Sequence, residues 1–213
     1  MRLAHLIATL ALALPLAWGP ATSTAAEAGK DYTVLAPAQP TDSRGKVEVI
    51  EFFAYTCPHC FDLEPELNAW AKRLPANVVL KRQPVIFSDD WEPMARAYFA
   101  LEALGAVDKL HADVFNAIHI QDKQLMEPDT FFDWGVKQGL DRAKLKSAYN
   151  AFSTAAKISR AKQLQKSYKI SGVPALAVNG KYLTSATMTG NNANTLKVAS
   201  ELIRMESRGG RGK

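Results

Sequence analysis

Residues 47–70, VEVIEFFAYTCPHCFDLEPELNAW, place the cysteine pair Cys57 and Cys60 between an apolar run and a segment whose apolar side chains recur at helical spacing. This pattern predicts a strand-to-helix junction at the cysteines. Pro58 suits the first helical position, because it has no N–H to leave unpaired and its fixed φ already matches a helix. Cys57 is then expected at the positive end of the helix, where free backbone N–H groups stabilise a thiolate and lower the pKa of the thiol.

The C-x-x-C spacing of this pair allows three interpretations. In the first, a partly charged His59 further stabilises the Cys57 thiolate, and the disulfide becomes a strong oxidant. In the second, the pair binds zinc, but zinc normally takes four ligands and the chain has no third cysteine. In the third, the disulfide is structural, although so short a loop removes little unfolded-state entropy. The residues favour redox chemistry without a metal.

The two ends of the chain differ from the rest in composition. Residues 1–26 combine Arg2, an apolar run broken by Pro15 and a small-residue tract with A-x-A-like sites, which predicts a secretory signal cleaved after Ala26. The run is short for a bilayer span, so a retained anchor is disfavoured. Residues 207–213 predict a basic, flexible tail within a chain of net charge +5. No nucleic-acid motif is present, and we expect no nucleic-acid partner.

Between these ends, the pattern predicts an α/β domain with an all-helical insertion. Residues 27–90 and 165–206 carry the strand signals, and their first strand-helix-strand unit predicts two parallel strands with a right-handed crossover. Residues 91–164 carry helical periodicity without a strand signal. An Asn-Gly pair at positions 179 and 180 predicts a hairpin between two later strands, because both turn residues need a positive φ.

Four motifs, in this order around the helical insertion, resemble those of the DsbA family of exported thiol:disulfide oxidoreductases: Glu51-Phe52-Phe53, Cys57-Pro58-His59-Cys60, Gly172-Val173-Pro174-Ala175 and Val178-Asn179-Gly180-Lys181-Tyr182. The resemblance covers most of the chain after residue 26 and is weakest in the helical insertion. It implies a thioredoxin-like fold for the α/β domain.

The resemblance also implies roles for single residues. Val173 and Pro174 would be joined by a cis peptide bond in a loop against Cys57, and Val173 would offer its backbone to an extended substrate. Cys57 would be exposed and Cys60 shielded. Glu51 would lie beneath the disulfide and assist proton transfer at Cys60.

Four other charged or titratable residues have weaker assignments. Glu64 and Lys81 match charged positions near the family's active site, although Glu64 could simply complement the helix dipole and Lys81 could equally be a solvated strand residue. His111 and His119 are expected to be surface or packing residues, because no acidic or thiol partner stands at a fixed spacing from them.

The resulting prediction is a periplasmic dithiol oxidase, acting as a monomer with no cofactor beyond the Cys57–Cys60 disulfide. It would donate this disulfide to reduced exported polypeptides through a mixed disulfide, and a DsbB-like membrane quinone reductase would restore it. The alternatives are a reductase or isomerase on the same fold and a non-catalytic peptide-binding module. No added dimerisation domain of the isomerase kind is visible in the sequence, which weakens the first alternative.

Overall fold

A mixed five-stranded sheet lies at the centre of the fold. The computed structural model describes residues 25–209, and its strands are β1 (Thr33–Val34), β2 (Val47–Phe53), β3 (Val78–Pro84), β4 (Ala175–Val178) and β5 (Tyr182–Ser185). They lie in the order β1-β5-β4-β2-β3. Every residue of β2 is buried, as its nearly continuous apolar sequence predicts.

The strand pairing confirms the two supersecondary units expected from the sequence. Helix α1 (Pro58–Ala71) connects β2 to β3, and these two strands are parallel. Strands β4 and β5 form the predicted antiparallel hairpin, with φ of 51° at Asn179 and 67° at Gly180. The edge strand β1 pairs antiparallel with β5.

Between β3 and β4 the described chain contains no strand. A short 3-10 helix, Asp89–Trp91, is followed by α2 (Glu92–Ala103), α3 (Val107–His119), α4 (Pro128–Lys137), α5 (Arg142–Asn150) and α6 (Phe152–Ser167). The insertion boundaries at 91 and 164 stay predictions, and the second of them falls inside α6. After the sheet, α7 (Ala186–Thr189) and α8 (Asn192–Gly209) close the chain.

Two groups of buried side chains hold these elements together. One packs the end of β2 and both cysteines against the helices of the insertion and includes Phe52, Phe53, Leu101, Phe115 and Phe131. The other packs β2 and β4 against α1 and α8 and includes Val49, Leu67, Leu176 and Leu202. Burial of each such side chain contributes roughly 1.5–3 kcal/mol. The cysteines therefore lie where the sheet meets the helical insertion.

The ends of the described chain are tied to the fold. The backbone N–H of Ala26 donates to Glu201 at 2.8 Å. Residues 207–209, which the sequence assigned to a flexible tail, continue α8, and Ser207 accepts a hydrogen bond from Asn77 at 3.2 Å. The rest of that tail and residues 1–24 of the predicted signal lie outside the described residues. Within residues 25–209, no helix has the length and apolar character needed to cross a bilayer.

Candidate active site

Cys57 occupies the N-cap of α1 and Pro58 the first turn, which confirms the predicted strand-to-helix junction. The backbone N–H of Cys57 donates to the carbonyl of Ala54 at 3.1 Å, and its own carbonyl accepts from the N–H groups of Cys60 and Phe61, each at 3.1 Å. Both cysteines are free thiols in this structure. The backbone of the first turn thus holds the two sulfurs on neighbouring positions of one helix end.

The two thiols lie in unequal environments. The Cys60 thiol donates a hydrogen bond to the Cys57 sulfur, and this bond lowers the pKa of Cys57. Burial opposes the effect, but the backbone N–H groups of Cys60 and His59 add to it, and the resulting pKa of Cys57 is about 6. Complete burial raises the pKa of Cys60 well above its ordinary value, and the hydrogen bond to Cys57 raises it further. Cys57 therefore favours the thiolate and Cys60 the thiol.

The expectation that Cys57 is exposed is wrong, since only 8% of this residue is accessible, although Cys60 at 0% is still the more shielded. The cause is the loop before β4, which lies 116 positions away in the chain. Its Val173 carbonyl accepts a hydrogen bond from the Cys57 thiol at 3.5 Å. The peptide bond between Val173 and Pro174 is cis and its loop lies against Cys57, as the resemblance implied.

His59 lies on the solvent side of the motif. Its side chain is 83% exposed, and its Nδ1 lies 3.8 Å from the carboxylate of Asp62. Its backbone N–H and its charge are both among the causes that lower the pKa of Cys57. His59 thus acts on Cys57 from the surface, while Cys60 acts on it from the interior.

Glu51 lies fully buried on β2, where the parallel register pairs it with Arg82 of β3. Its Oε2 is 3.2 Å from Nε of Arg82, but the geometry is not that of a hydrogen bond, and neither carboxyl oxygen has a hydrogen-bond partner among the described residues. Burial raises the pKa of Glu51 to about 8 against the attraction of Arg82. The charge of Glu51 in turn raises the pKa of Cys60, so the two groups are electrostatically linked.

A second carboxylate, Glu64 of α1, lies in the same interior region and is well satisfied. It accepts hydrogen bonds from Asn68 at 2.7 Å and from the Arg82 guanidinium at 3.2 Å, and Nε2 of His111 lies 3.6 Å away. Burial alone would raise the pKa of Glu64, but His111, Arg82 and Asn68 together lower it. We call Glu51, Glu64, Arg82 and His111 the buried charged cluster.

Sequence reasoning missed two members of this cluster. Arg82, rather than Lys81, is the cation that faces the carboxylates, while Lys81 pairs with Glu48 at 2.7 Å. His111, expected at the surface or in simple packing, is buried in the cluster. A signal for Arg82 was available in strand alternation, because adjacent residues of a strand point to opposite faces.

Three cluster members could offer metal ligands. Atoms of Glu51, Glu64 and His111 lie within 4.8 Å of one another, and all three residues are buried. The guanidinium of Arg82 already faces both carboxylates at 3.2 Å. A metal ion would have to enter beside this fixed positive charge, so the cluster is better described as an internal salt bridge than as a metal site.

Known proteins resemble this chain in both sequence and structure. The model of a family described as DSBA-like thioredoxin domain matches residues 66–198. The thiol:disulfide interchange protein DsbA of Bordetella parapertussis is 43% identical over 200 residues, covering 93% of this chain and 94% of the relative. The crystal structure of Pseudomonas aeruginosa DsbA superposes with a TM-score of 0.84 at 36% identity, covering 87% of this chain and 97% of that one.

Proposed function

This chain belongs to the DsbA-like thioredoxin family and is a thiol:disulfide oxidoreductase, and from that premise we propose that it is a periplasmic oxidase which donates the Cys57–Cys60 disulfide to exported proteins. The proposed direction of disulfide transfer rests on the difference between the two thiols, since the pKa of Cys57 is lowered and that of Cys60 is raised. A cysteine whose pKa lies near 6 leaves readily as a thiolate at neutral pH. Stabilising the reduced pair makes its disulfide a stronger oxidant.

In the first step, a substrate thiolate attacks the Cys57 sulfur of the enzyme disulfide. A mixed disulfide forms between the substrate and Cys57, the Cys57–Cys60 bond breaks, and Cys60 takes its electron pair. Because the pKa of Cys60 is strongly raised by burial, this sulfur must gain a proton. Glu51, protonated at neutral pH according to its raised pKa, is the proposed proton donor.

In the second step, another thiolate of the substrate attacks the substrate sulfur of the mixed disulfide. The substrate disulfide forms, and Cys57 departs as a thiolate with the electron pair of the broken bond. The hydrogen bond from the Cys60 thiol and the N–H groups of the helix end stabilise that thiolate. The substrate has then lost two electrons, and the enzyme pair has gained them.

Substrate selection is proposed to rest on the backbone of Val173 beside the reacting sulfur. An extended polypeptide can hydrogen-bond to a backbone edge whatever its side chains are, which allows broad substrate choice. The partial burial of Cys57 beneath this loop favours such a peptide, because the loop that covers the sulfur also positions the substrate. Reduced exported polypeptides are therefore the proposed substrates.

A DsbB-like membrane quinone reductase is the proposed oxidant that restores the enzyme disulfide. The cycle then needs no cofactor in this chain beyond the cysteine pair. We expect the enzyme to work as a monomer, since each step uses only the two sulfurs and groups of the same chain.

Replacement of each cysteine separately tests this proposal. Cys57→Ser is expected to abolish oxidation of a reduced peptide with two cysteines, whereas the matched variant Cys60→Ser is expected to accumulate mixed disulfides with it. Adducts are resolved by mass spectrometry under non-reducing conditions. Oxidation by the Cys57→Ser variant, or an absence of adducts with Cys60→Ser, would contradict the mechanism.

The equilibrium of the pair in glutathione buffers separates the oxidase from its alternatives. A strongly oxidising pair supports the donor role, and a strongly reducing pair would instead support a reductase or isomerase. A pair that does not exchange with glutathione would support a non-catalytic peptide-binding module.

A further inference from the structure

His111 of α3 brings a titratable ring from the helical insertion into the interior beneath the cysteines. The residue is 4% exposed and is surrounded by aromatic rings, the nearest being Phe53 with a centroid distance of 5.0 Å. The charged and titratable groups that face it come from every element packed around it: Glu51, Tyr55, Glu64, Arg82 and Tyr98. The proposed mechanism gives His111 no part.

The hydrogen bonds around His111 assign its tautomer. Its Nδ1 lies 2.8 Å from the hydroxyl of Tyr55, which is buried and has no other hydrogen-bond partner among the described residues. The Tyr55 hydroxyl therefore donates to Nδ1, because the opposite tautomer would both leave the Tyr55 proton without an acceptor and turn the Nε2 lone pair towards the Glu64 carboxylate, 3.6 Å away. Burial lowers the pKa of His111, so the ring is neutral at pH 7 and its remaining proton is on Nε2.

The protonated Nε2 faces one of the two buried carboxylates. It lies 3.6 Å from Oε2 of Glu64, too far for a direct hydrogen bond but close enough for the N–H dipole to stabilise a negative charge in a dry interior. Glu64 also accepts from Asn68 and Arg82, whereas the carboxyl group of Glu51 has no hydrogen-bond partner in the part of the chain that the structure describes. The carboxyl groups of Glu51 and Glu64, which share the Arg82 cation, therefore differ in how strongly their surroundings stabilise the charged form.

We propose that His111 is a positioning residue which holds Glu64 as the permanently charged carboxylate of the buried charged cluster and thereby leaves the exchangeable proton on Glu51. The helical insertion then contributes directly to the redox site through one ring of α3. Pairs of carboxyl groups take separate acid and base roles when their surroundings push their pKa values apart. His111 supplies part of that separation.

The consequence for catalysis rests on the proposed function, in which Glu51 delivers a proton to Cys60. The negative charge of Glu64 is among the causes that raise the pKa of Glu51. Without the His111 dipole, burial would favour the neutral form of Glu64, and Arg82 would be left to stabilise Glu51 as the anion. The two carboxyl groups would then compete for one proton.

Carbon NMR of the side-chain carboxyl groups in the reduced protein tests this inference. The two signals are assigned by their loss in Glu51→Gln and Glu64→Gln. In His111→Phe, which keeps an aromatic ring in the cavity, the titration midpoint of Glu64 is expected to rise by about one unit and that of Glu51 to fall towards it. His111→Gln, which can still present an N–H, is expected to restore most of the separation.

His119→Gln is the matched control. His119 lies on the same helix and donates from Nε2 to the backbone carbonyl of Tyr55 at 2.8 Å, but it does not face the carboxylates. This variant is expected to leave both midpoints unchanged. An unchanged Glu64 midpoint in His111→Phe, or a rise that His111→Gln does not reverse, would overturn the inference.

The titration needs no turnover, so its outcome is independent of the cysteine experiments above. Failure of the Cys57→Ser and Cys60→Ser tests would remove the oxidase proposal while leaving the role of His111 in the cluster measurable. If His111→Phe destabilises the protein too far for titration, Tyr55→Phe provides a second variant. Loss of the hydroxyl that fixes the tautomer is expected to raise the Glu64 midpoint in the same direction, by a smaller amount, and an unchanged midpoint there would also count against the inference.

Discussion

Glu48 and Glu51 lie three residues apart on the same buried strand, and their surroundings are opposite in kind. Glu48 is 3% exposed, and its Oε2 forms an ion pair with Lys81 at 2.7 Å and accepts hydrogen bonds from the Ser43 hydroxyl at 2.7 Å and from the N–H of Asp42 at 3.2 Å. Glu51 is 0% exposed, and its carboxyl oxygens have no hydrogen-bond partner within residues 25–209.

The two glutamates differ in whether the described residues supply hydrogen bonds to the buried carboxyl group. A buried carboxylate with two hydrogen bonds and a paired ammonium group ties the strand to its neighbours. A buried carboxyl without donors can exchange its proton, because neither of its forms is strongly held by hydrogen bonds. Incomplete hydrogen bonding thus distinguishes Glu51, the residue proposed to transfer a proton, from Glu48.

The largest expected effect comes from removing the cation shared by the cluster. Arg82→Met leaves Glu51 and Glu64 buried without a positive partner, which is expected to cost about 3–5 kcal/mol of unfolding free energy at neutral pH. Urea denaturation measures the loss. Lys81→Met is the neighbouring control, with a smaller expected loss because Glu48 keeps two hydrogen bonds. Equal losses in the two variants would contradict the distinction drawn between the two carboxylates.

The pH dependence of Glu51→Gln gives the next largest effect. Between about pH 4.5 and 8 the folded protein keeps the Glu51 proton while the unfolded chain loses it, so stability falls as the pH rises through this window. Glutamine carries no such proton. The stability of Glu51→Gln relative to the wild type is therefore expected to increase by about 3 kcal/mol between pH 5 and pH 7.5, from a limit of about 1.4 kcal/mol per pH unit. Denaturation at both pH values checks it, and a constant difference would refute the raised pKa.

Glu48→Gln is expected to show a smaller effect of a different kind. The charged acceptor of Lys81 and Ser43 is lost, which is expected to cost about 1–2 kcal/mol of unfolding free energy. The rate of disulfide transfer to a peptide is expected to stay within about twofold of the wild type. A large fall in that rate would show that Glu48 also takes part in the chemistry.

The smallest effect is expected at the surface of the motif. His59→Leu removes a charge that affects Cys57 less than the Cys60 hydrogen bond and the backbone N–H groups do, so the pKa of Cys57 is expected to rise from about 6 by less than about one unit. Ultraviolet absorbance of the thiolate against pH measures this change. A rise of several units would mean that His59, rather than Cys60 and the backbone, controls the thiolate.

Local sequence patterns were sufficient to predict the elements that carry the cysteines. The continuous apolar character of β2, the proline at the start of α1 and the Asn-Gly turn each act within a few residues of the chain, so they are visible without the fold. The cis bond before Pro174 came from the family resemblance, since most X-Pro bonds are trans.

Features that depend on distant pairing could not be predicted in the same way. The choice between Lys81 and Arg82 depends on strand register, because a shift of one residue moves a side chain to the opposite face. The covering of Cys57 depends on a loop 116 positions away. The position of His111 depends on how α3 packs against the sheet, although its spacing of three, four and seven residues from Val114, Phe115 and Ile118 already placed it on the apolar face of the helix.

The sequence contains no third cysteine, and this has a consequence for how the protein itself folds. Both cysteines lie in the first of the two cores as free thiols, so neither core is crosslinked by a disulfide in this structure. In the proposed role as an oxidase, the protein needs no disulfide to hold its own fold, because side-chain packing supports the fold with both thiols free. The folding of newly made protein is then expected not to require a disulfide donated by molecules that are already folded.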